Sequence, residues 1–369
     1  MNFNLSDLQR MLLESAERYI GDHFTLEHRR ALRQTQNGMD DAAWQTFAEL
    51  GWLSILVPEE LGGLGGTMTD VAVLAGALGH GCVKEPFTSS AVLGATLLAG
   101  GASLPHKIME DLISGTARIA LAYDEPGERY AYGVPRSATL RKDGSDLLLS
   151  GQKMMVVDAP AATHYIVAVQ ESDDLALALV DAQAEGVSAS PYALYDDSRA
   201  ADLHFDNVSI PADRLLASGA TAASLLALAL DRTRVAHAAQ SVGSMEAQLD
   251  ICSAYLKERH QFGQPIGRFQ ALQHIMADMF VATHQARSML YFALSQLDAP
   301  ARRREQSVAM AKVHIGEAAQ LVSRQAIQLH GGYGVTDEYE VSHHYRRQLV
   351  LEKLYGDITY SVARAAPCD

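Results

Sequence analysis

Residue types that could bind or activate a ligand recur at several places in this chain. Two arginines, Arg234 and Arg259, lie in or after helical patterns, and three glycines, Gly331, Gly332 and Gly334, follow another. A guanidinium group donates a fixed fork of hydrogen bonds that suits carboxylate and phosphate groups. Glycine lets the backbone approach a ligand where a Cβ would obstruct it. Binding of an anionic ligand is therefore the first chemistry that these residues indicate.

The overall charge makes such local donors necessary. The chain has 44 acidic and 30 basic side chains, a formal net charge of −14. This charge repels nucleic acid phosphates and anionic membrane surfaces at long range. We therefore expect neither nucleic acid nor membrane as a partner, and we expect any anionic ligand to be held by individual arginines or helix N-termini.

Cysteine usage and the N-terminus favour a cytoplasmic protein. Cys82, Cys252 and Cys368 are odd in number and lack metal-like spacing, so a disulfide framework is not expected. The opening MNFNLSDLQRML lacks a basic segment followed by an apolar run. No stretch approaches the roughly 18 uninterrupted apolar residues of a membrane span.

The elements that must position the candidate residues change character along the chain. Residues 5–114 carry a helical pattern that starts at Leu5-Ser6-Asp7 and is interrupted by LGGLGGT. Residues 117–216 contain short alternating runs with a hairpin signal at Asp143-Gly144, which predicts an antiparallel sheet or barrel. From about Ser218 the helical period returns in long form.

These patterns predict an α+β, mostly α protein with three domains. They are a helical domain (1–116), a β domain (117–217) and a four-helix bundle (218–369). The segment APARRREQS, at 299–307, is predicted to be a charged loop between two bundle helices. One broad apolar face of the helix before it is formed by Leu272, Ile275, Met276, Met279, Ala286, Met289, Leu290 and Leu297.

The candidate segments, in this order and at these separations, resemble the acyl-CoA dehydrogenase family, whose members desaturate the α,β carbons of a thioester. The resemblance covers nearly the whole chain, and LSDLQRMLLESAERYI and ELGWLSILVPEELGGLGG resemble its N-terminal helical domain. It implies FAD as cofactor, an acyl-CoA as substrate and an electron-transferring flavoprotein as oxidant.

Two segments of the β region resemble those that hold the flavin ring in the family. In ALAYDEPGERY, Asp124 stands where the family has Thr, while Glu125 and Pro126 are kept. In GQKMMVVDA, Met155 replaces a Trp that covers the flavin, and Val157 replaces a Thr that hydrogen-bonds near flavin N5. Val has no donor for the reduced flavin, and Met covers a ring less rigidly than Trp.

The segment ALDRTRVAHAAQSVG is similar to the part of the family that contacts the CoA arm. The family pattern Asp-x-Thr-Arg is matched by Asp231, Thr233 and Arg234. The resemblance therefore implies that these three residues bind the substrate.

Two later segments resemble those that reach the FAD of a neighbouring subunit. KERHQFGQPIGRFQ matches the family's Arg-x-x-Phe-Gly, and QLHGGYGVTDEY matches its Gln-x-x-Gly-Gly-x-Gly. The histidines His330, His343 and His344 lack carboxylate or cysteine partners at metal-binding spacing, so we expect no metal site. The implied FAD-binding residues are Arg259, Phe262, Gln270, Gln328, Gly331 and Gly332.

The catalytic base of the family is missing from its usual position. The resemblance places a Glu at Tyr355, followed by Gly356 and, where the family has Thr, Asp357. The alternative position used by some relatives holds Thr233. Asp357 could serve as the base, although its place before ITYSVARAA equally predicts a helix N-cap. Asp231 is a further alternative.

A partner chain could instead supply the Glu. The segments LYGDITYSVARAA, KVHIG and HGGYGVTDEY resemble the small subunit of pimeloyl-CoA dehydrogenase, and two-subunit members of steroid side-chain degradation are also similar. We therefore expect a dimer or tetramer, homomeric or heteromeric. It either desaturates an acyl-CoA with a base of its own, Asp357 or Tyr355 being the candidates, or acts as a non-catalytic or half-site subunit. The acyl group, from a fatty acid or a steroid side chain, is left open.

Overall fold

The computed structural model describes residues 4–102, 106–133, 137–144 and 146–366. The described part of the chain is 58% helical with a central sheet, which confirms the predicted α+β, mostly α class. In these ranges no helix combines the length and apolar character needed to cross a membrane. Cys368 lies outside the described residues.

The N-terminal part is helical, as predicted. Helix α1 begins at the predicted position, since the Ser6 side chain accepts from the Gln9 backbone N–H and the Gln9 side chain accepts from Ser6. The helices are α1 (Asp7–His23), α2 (Leu26–Leu32), α3 (Asp41–Glu49), α4 (Met68–His80), α5 (Ala95–Ala99) and α6 (His106–Ile113), with a π-helical segment at Thr88–Gly94.

The central part forms a sheet. Its strands are β1 (Ile119–Ala122), β2 (Thr139–Asp143), β3 (Asp146–Val157), β4 (His164–Glu171), β5 (Asp174–Asp181), β6 (Val187–Ala193), β7 (Arg199–Pro211) and β8 (Leu215–Ser218). They lie in the order β6-β7-β3-β2-β4-β5-β8, with β1 also paired to β4. The hairpin predicted at Asp143-Gly144 is present, because β2 and β3 pair antiparallel on either side of it.

The sheet is not purely antiparallel. Strands β1 and β2 both run parallel to β4, β1 along Ile119–Ala122 and β2 further on at Thr139-Leu140. The chain leaves the sheet between them and returns in the same direction. One face of the sheet buries an apolar core that includes Leu149, Val167 and Phe205.

The C-terminal part is again helical. Its elements are α7 (Gly219–Glu258), the short strands β9 (His260–Gln261) and β10 (Gln264–Pro265), then α8 (Gln270–Gln296), α9 (Ala301–His330), α10 (Glu340–Lys353) and α11 (Ile358–Ala365). The loop predicted at 299–307 is wrong for most of its length, since α9 starts at Ala301 after an N-cap at Pro300. Ala, Arg and Glu are strong helix formers, so their charge does not prevent a helix here.

Helices α7 to α10 form the predicted bundle. Ser241 of α7 donates to Gln348 of α10, Glu246 of α7 pairs with Arg287 of α8, and α9 packs against α8, α10 and α11. Close approach between α4 and α7 depends on glycine. A Cβ at Gly243 would lie 1.9 Å from the carbonyl oxygen of Gly76.

The chain divides into two compact units. One contains Met1–Ala31, Ala72–Val83 and Arg234–Asp369, and the other contains Leu32–Val71 and Lys84–Thr233. The sheet belongs to the second unit and helices α8 to α11 belong to the first. The three-domain boundaries inferred from the sequence stay a prediction.

Candidate active site

A buried ion pair organises the segment after β1. Glu125 accepts hydrogen bonds from the backbone N–H groups of Ser137 at 2.8 Å and Ala138 at 3.0 Å. Its Oε1 also lies 2.9 Å from Nζ of Lys153, whose side chain is fully buried in β3. Burial lowers the pKa of Lys153, and the contact with Glu125 opposes that shift. Glu125 therefore ties the segment to β2 and β3 and is not available as a base.

Asp124, next to this pair, keeps an oxygen without a hydrogen-bond partner. Its Oδ1 is buried and accepts no hydrogen bond from the described residues, while its backbone oxygen accepts from the Met154 N–H at 2.8 Å. Burial raises the pKa of Asp124 to about 6, against the lowering effect of Lys153 and Arg129. The side chain lines a shallow cavity with Tyr123, Glu125, Glu128 and Ala131. Pro126 is exposed just beyond it.

Met155 and Val157 lie at an irregular part of β3. Met155 adopts a left-handed backbone conformation with φ 49°, and the β3–β7 register shifts between Lys153 and Val156. The irregularity leaves Met155 37% exposed. Val157 follows half-buried, paired with Ala200 of β7.

The residues implied in CoA binding share one stretch of α7. Asp231, Thr233 and Arg234 are all buried. The Thr233 hydroxyl donates to the Ala229 carbonyl within the same helix at 2.7 Å. Arg234 reaches a distant segment, since its Nε donates to the carbonyl oxygen of Tyr355 at 2.9 Å.

Two buried basic side chains hold the turn that joins α10 to α11. Lys312 of α9 donates from Nζ to the Leu354 carbonyl at 2.8 Å and to the Leu351 carbonyl at 3.3 Å, and Arg234 holds the Tyr355 carbonyl. Tyr355 adopts φ 55°, a left-handed conformation that is disfavoured for a residue with a Cβ. The turn therefore keeps a defined and unusual shape at the position that the resemblance gives to the catalytic base.

Carboxylates beside this turn are engaged in holding α11. Asp357 is its N-cap, with Oδ1 accepting from the Tyr360 N–H at 2.9 Å, which confirms the N-cap interpretation. Glu352 accepts from the Ile358 N–H at 2.9 Å and pairs with Lys353 at 2.7 Å. Asp357 Oδ2 lies 3.9 Å from Lys353 Nζ. A catalytic role for Asp357 or Tyr355 stays a prediction.

The ring of Tyr355 stacks on His237 of α7, with ring centroids 5.8 Å apart and planes 21° apart. Burial, together with Arg347 and Lys312, holds the pKa of His237 well below its usual range. Burial and Arg234 likewise lower the pKa of Lys312 to about 7, although Glu352 and Asp357 oppose this. The position that the resemblance gives to the base thus contains an aromatic pair beside the basic side chains of Arg234, Lys312 and Arg347.

The residues implied in binding a neighbour's FAD are all exposed. Phe262, at φ 54° in the turn between β9 and β10, is 90% exposed. Arg259 precedes this turn, Gln270 begins α8, and Gln328 lies in the last turn of α9. Such exposure leaves their side chains available to a ligand or another chain.

The structural reason for a glycine differs among the three glycines after α9. A Cβ at Gly334 would come within 2.9 Å of the His330 Cβ and the Ile327 carbonyl oxygen, so intrachain contacts exclude it. Gly331 has φ 59°, which favours glycine. At Gly332 neither reason holds, because its φ is ordinary and a Cβ would meet no atom within 4 Å.

The histidines of this region are held by neighbouring groups. His330 contacts the Ala326 carbonyl at 2.8 Å, His343 contacts the Asp337 carbonyl at 3.1 Å, and His344 contacts the Ser244 hydroxyl at 2.9 Å. Across the described part of the chain, no group of three His, Cys, Asp or Glu side chains could hold a metal ion.

Sequence reasoning missed Lys153, Lys312 and His237. A signal for both lysines was present, since Lys153 directly precedes the apolar run MMVV and Lys312 lies within AMAKVHI. A lysine is almost never fully buried unless it has partners. Those partners, however, lie 28 or more residues away in the sequence.

Three family models cover the chain in order. The acyl-CoA dehydrogenase N-terminal domain matches residues 6–116, the middle domain matches 120–208, and the C-terminal domain matches 223–360. Probable acyl-CoA dehydrogenase YngJ of Bacillus subtilis is 30% identical over 99% of this chain and 98% of its own length.

Two solved structures are also similar to this chain over nearly its whole length. A variant of the Tcur3481-Tcur3483 steroid ACAD is 27% identical, with a TM-score of 0.88 over 97% of this chain and 96% of that one. The ChsE4-ChsE5 complex from Mycobacterium tuberculosis is 25% identical, with a TM-score of 0.88 over 99% and 97%.

The chain belongs to the acyl-CoA dehydrogenase family. It is thereby an oxidoreductase that acts on CH–CH bonds, and its family uses FAD.

Two separate features, one in each unit, are compatible with a bound ligand. Gly332 leaves open the space that a Cβ would fill, without any requirement from the chain itself. Asp124 keeps a buried oxygen without a hydrogen-bond partner in the described protein, beside a cavity. A buried oxygen without a partner suits a ligand that donates a hydrogen bond, and a glycine allows a ligand to approach the backbone closely.

Proposed function

We propose that this chain desaturates an acyl-CoA as one subunit of an oligomer in which another chain supplies the catalytic carboxylate. The observation that carries the proposal is the turn at Tyr355. Lys312 and Arg234 hold it in a defined shape, yet it presents an aromatic side chain where proton removal needs a base. Glu352 and Asp357, beside it, cap α11.

This chain would hold the cofactor with two sets of residues. Asp124, Glu125, Pro126, Met155 and Val157 would surround the ring system, Glu125 by fixing the backbone. FAD, when bound, supplies a hydride acceptor. The exposed residues that would reach the nucleotide part of a neighbouring subunit's FAD are Arg259, Phe262, Gln270, Gln328, Gly331 and Gly332.

The substrate would be oriented by Asp231, Thr233 and Arg234 along its CoA arm. Arg234 is buried and already donates to the Tyr355 carbonyl. The same side chain would therefore couple substrate binding to the shape of the turn. The α proton would pass to a carboxylate oxygen of the other chain, positioned near this turn.

Co-expression tests the proposal. The chain is produced alone and together with a homologous chain that carries Glu at the position of Tyr355, and desaturation is followed with an artificial electron acceptor. We expect activity only in the mixed complex, and we expect it to survive Asp357→Asn. Turnover by the chain alone that disappears with Asp357→Asn would contradict the proposal.

A self-sufficient enzyme is the second candidate, with Asp357 as its base. It is supported by the position of Asp357, a partly buried carboxylate two residues after Tyr355. Asp357→Asn is a suitable test because Asn also caps helices well, so loss of turnover would occur without loss of fold.

The proposal also includes an oxidant, a cellular location and a class of substrate. We assign an electron-transferring flavoprotein as oxidant, and a reducing cytoplasm as location, which the free buried cysteines Cys82 and Cys252 support. Similarity to a steroid ACAD supports including steroid side-chain thioesters among the substrates. A panel of short-chain, dicarboxylic and steroid acyl-CoA thioesters, tested on the mixed complex, would identify the acyl group.

A further inference from the structure

The irregularity in β3 is a β-bulge with a defined partner. Lys153 pairs with Leu203 and Val156 pairs with Ala201. Met154 and Met155 therefore lie opposite one residue of β7, Asp202. A bulge of this kind locally redirects side chains and recurs beside functional sites. Here it leaves both methionines exposed, Met154 at 39% and Met155 at 37%.

Asp202 connects the bulge to a third strand. Its Oδ1 accepts from the Met155 N–H at 3.0 Å and from the Tyr192 hydroxyl at 2.9 Å. Tyr192 lies on β6, where it pairs with Ala200 of β7. Partial burial and the contact with Asp202 raise the pKa of Tyr192 to about 12. The phenol therefore stays protonated near neutral pH and continues to donate to Asp202.

The hydrogen bond to Asp202 satisfies the backbone N–H of Met155 at the bulge. A residue with a Cβ in the left-handed conformation, as Met155 is with φ 49°, needs such local compensation. Asp202 supplies it as an acceptor, and Tyr192 fixes the orientation of the carboxylate. We name Tyr192, Asp202 and the Met155 backbone the bulge clamp.

We propose that Asp202 and Tyr192 are positioning residues that hold Met155 against the flavin ring. This rests on the proposed function, which places Met155 at the cofactor. Methionine is flexible and covers a ring less rigidly than the tryptophan it replaces. A fixed backbone at Met155 compensates for that flexibility, and the bulge clamp provides it.

The test uses Asp202→Ala, Asp202→Asn and Tyr192→Phe, with Ser209→Ala as a matched control. Ser209 also lies on β7 and donates to Asp146 of β3, at 3.3 Å, away from the bulge. Asn keeps an oxygen acceptor for the Met155 N–H, so Asp202→Asn is the conservative variant.

The first readout is the methyl NMR signal of Met155 in the chain without FAD, assigned with Met155→Leu. We expect this signal to move or broaden in Asp202→Ala and Tyr192→Phe and to stay in place in Ser209→Ala. An unchanged signal in both bulge variants would show that the clamp does not position Met155.

The second readout is FAD bound to the full chain, or to its complex with the partner. We expect Asp202→Ala to weaken FAD binding by about 10-fold and to increase the fluorescence of the bound flavin, with Asp202→Asn within about twofold of the parent. A displaced Met155 signal with unchanged FAD affinity and fluorescence would overturn the inference.

Failure of the proposed function is distinguishable from failure of the clamp. If the parent chain binds no FAD, alone or in the complex, the assignment of Met155 to the cofactor is overturned. The methyl signal would then still report whether Asp202 and Tyr192 hold the bulge.

Discussion

The β3 bulge and the turn after α10 both depart from the family pattern, but in different ways. Each keeps its buried support, Lys153 with Glu125 in the first and Lys312 with Arg234 in the second. Near the bulge, Asp124 offers a polar group at the position where the resemblance implies a Thr. At the turn, Tyr355 offers no carboxylate at the position where the resemblance implies a Glu. Both regions thus have buried support, and under the proposed function only the turn lacks the group that the reaction needs.

The largest expected effect follows from restoring that group. In Tyr355→Glu, a carboxylate stands in a turn that is already shaped for it, and a positioned general base typically contributes about 10²- to 10⁴-fold in rate. We expect the variant chain, loaded with FAD, to desaturate acyl-CoA without a partner. Tyr355→Gln, which is similar in size but cannot accept the proton, is the control.

Flavin bleaching on anaerobic addition of an acyl-CoA measures this gain. A Tyr355→Glu variant that binds FAD and substrate but stays as inactive as Tyr355→Gln would mean that the turn no longer supports catalysis. The inference that the turn lacks only a carboxylate would then be wrong.

Removing the amino group of Lys153 tests how much its buried ion pair with Glu125 stabilises the fold. Lys153→Met removes the ion-pair partner of the buried Glu125 carboxylate. Removing one partner of a buried ion pair costs about 3 kcal/mol or more. We expect the free energy of unfolding in urea to fall by that amount. Lys142→Met, an exposed lysine on neighbouring β2, should change it by less than about 0.5 kcal/mol. Equal effects of the two substitutions would show that the buried pair has no special role.

The contribution of Lys312 to the free energy of unfolding should depend on pH. Burial lowers the pKa of Lys312 from 10.5 to about 7, so between these values the unfolded chain binds one more proton than the folded chain. Stability therefore rises with pH across this window, by at most about 1.4 kcal/mol per pH unit.

Lys312→Met removes this proton exchange. We expect the difference in unfolding free energy between parent and variant to grow in the parent's favour from pH 7 to pH 10. A difference that stays constant over this range would refute the assignment of the exchange to Lys312. Lys257→Met, which removes an exposed lysine near the end of α7, serves as the control.

The smallest effect concerns the helix that follows the turn. Asp357→Ala removes the cap from α11, which typically costs about 1 kcal/mol, whereas Asp357→Asn should be close to neutral. Thermal unfolding of both variants measures this. Destabilisation by Asn as large as that by Ala would mean that the charge of Asp357, and not its capping oxygen, holds the turn.

Local patterns predicted much of the fold. The Ser6 cap, the Asp143-Gly144 hairpin and the helical, β, helical order follow from short-range chemistry. The loop at 299–307 was wrong because helix propensity outweighed charge. Helix α8 was only partly predictable, since Met279 and Leu290 of its apolar face are buried but Leu272 and Ile275 are half-exposed.

The candidate site was predictable as residues but not as contacts. Resemblance identified Arg234 and Tyr355, yet their hydrogen bond spans 121 residues. Nor could the sequence show that Asp202 faces Met155, because a one-residue bulge changes which residues are opposed. Such relations depend on tertiary pairing, which a single sequence does not specify.

Gly332 carries a practical consequence for engineering. Because neither its backbone conformation nor its neighbours require glycine, a procedure that optimises the isolated chain would replace it with alanine, which lowers the entropy of the unfolded state. Under the nucleotide-binding role proposed for Gly332, the resulting protein would melt at a higher temperature and bind the nucleotide less tightly. Variants at this position should therefore be compared in the oligomer with FAD bound.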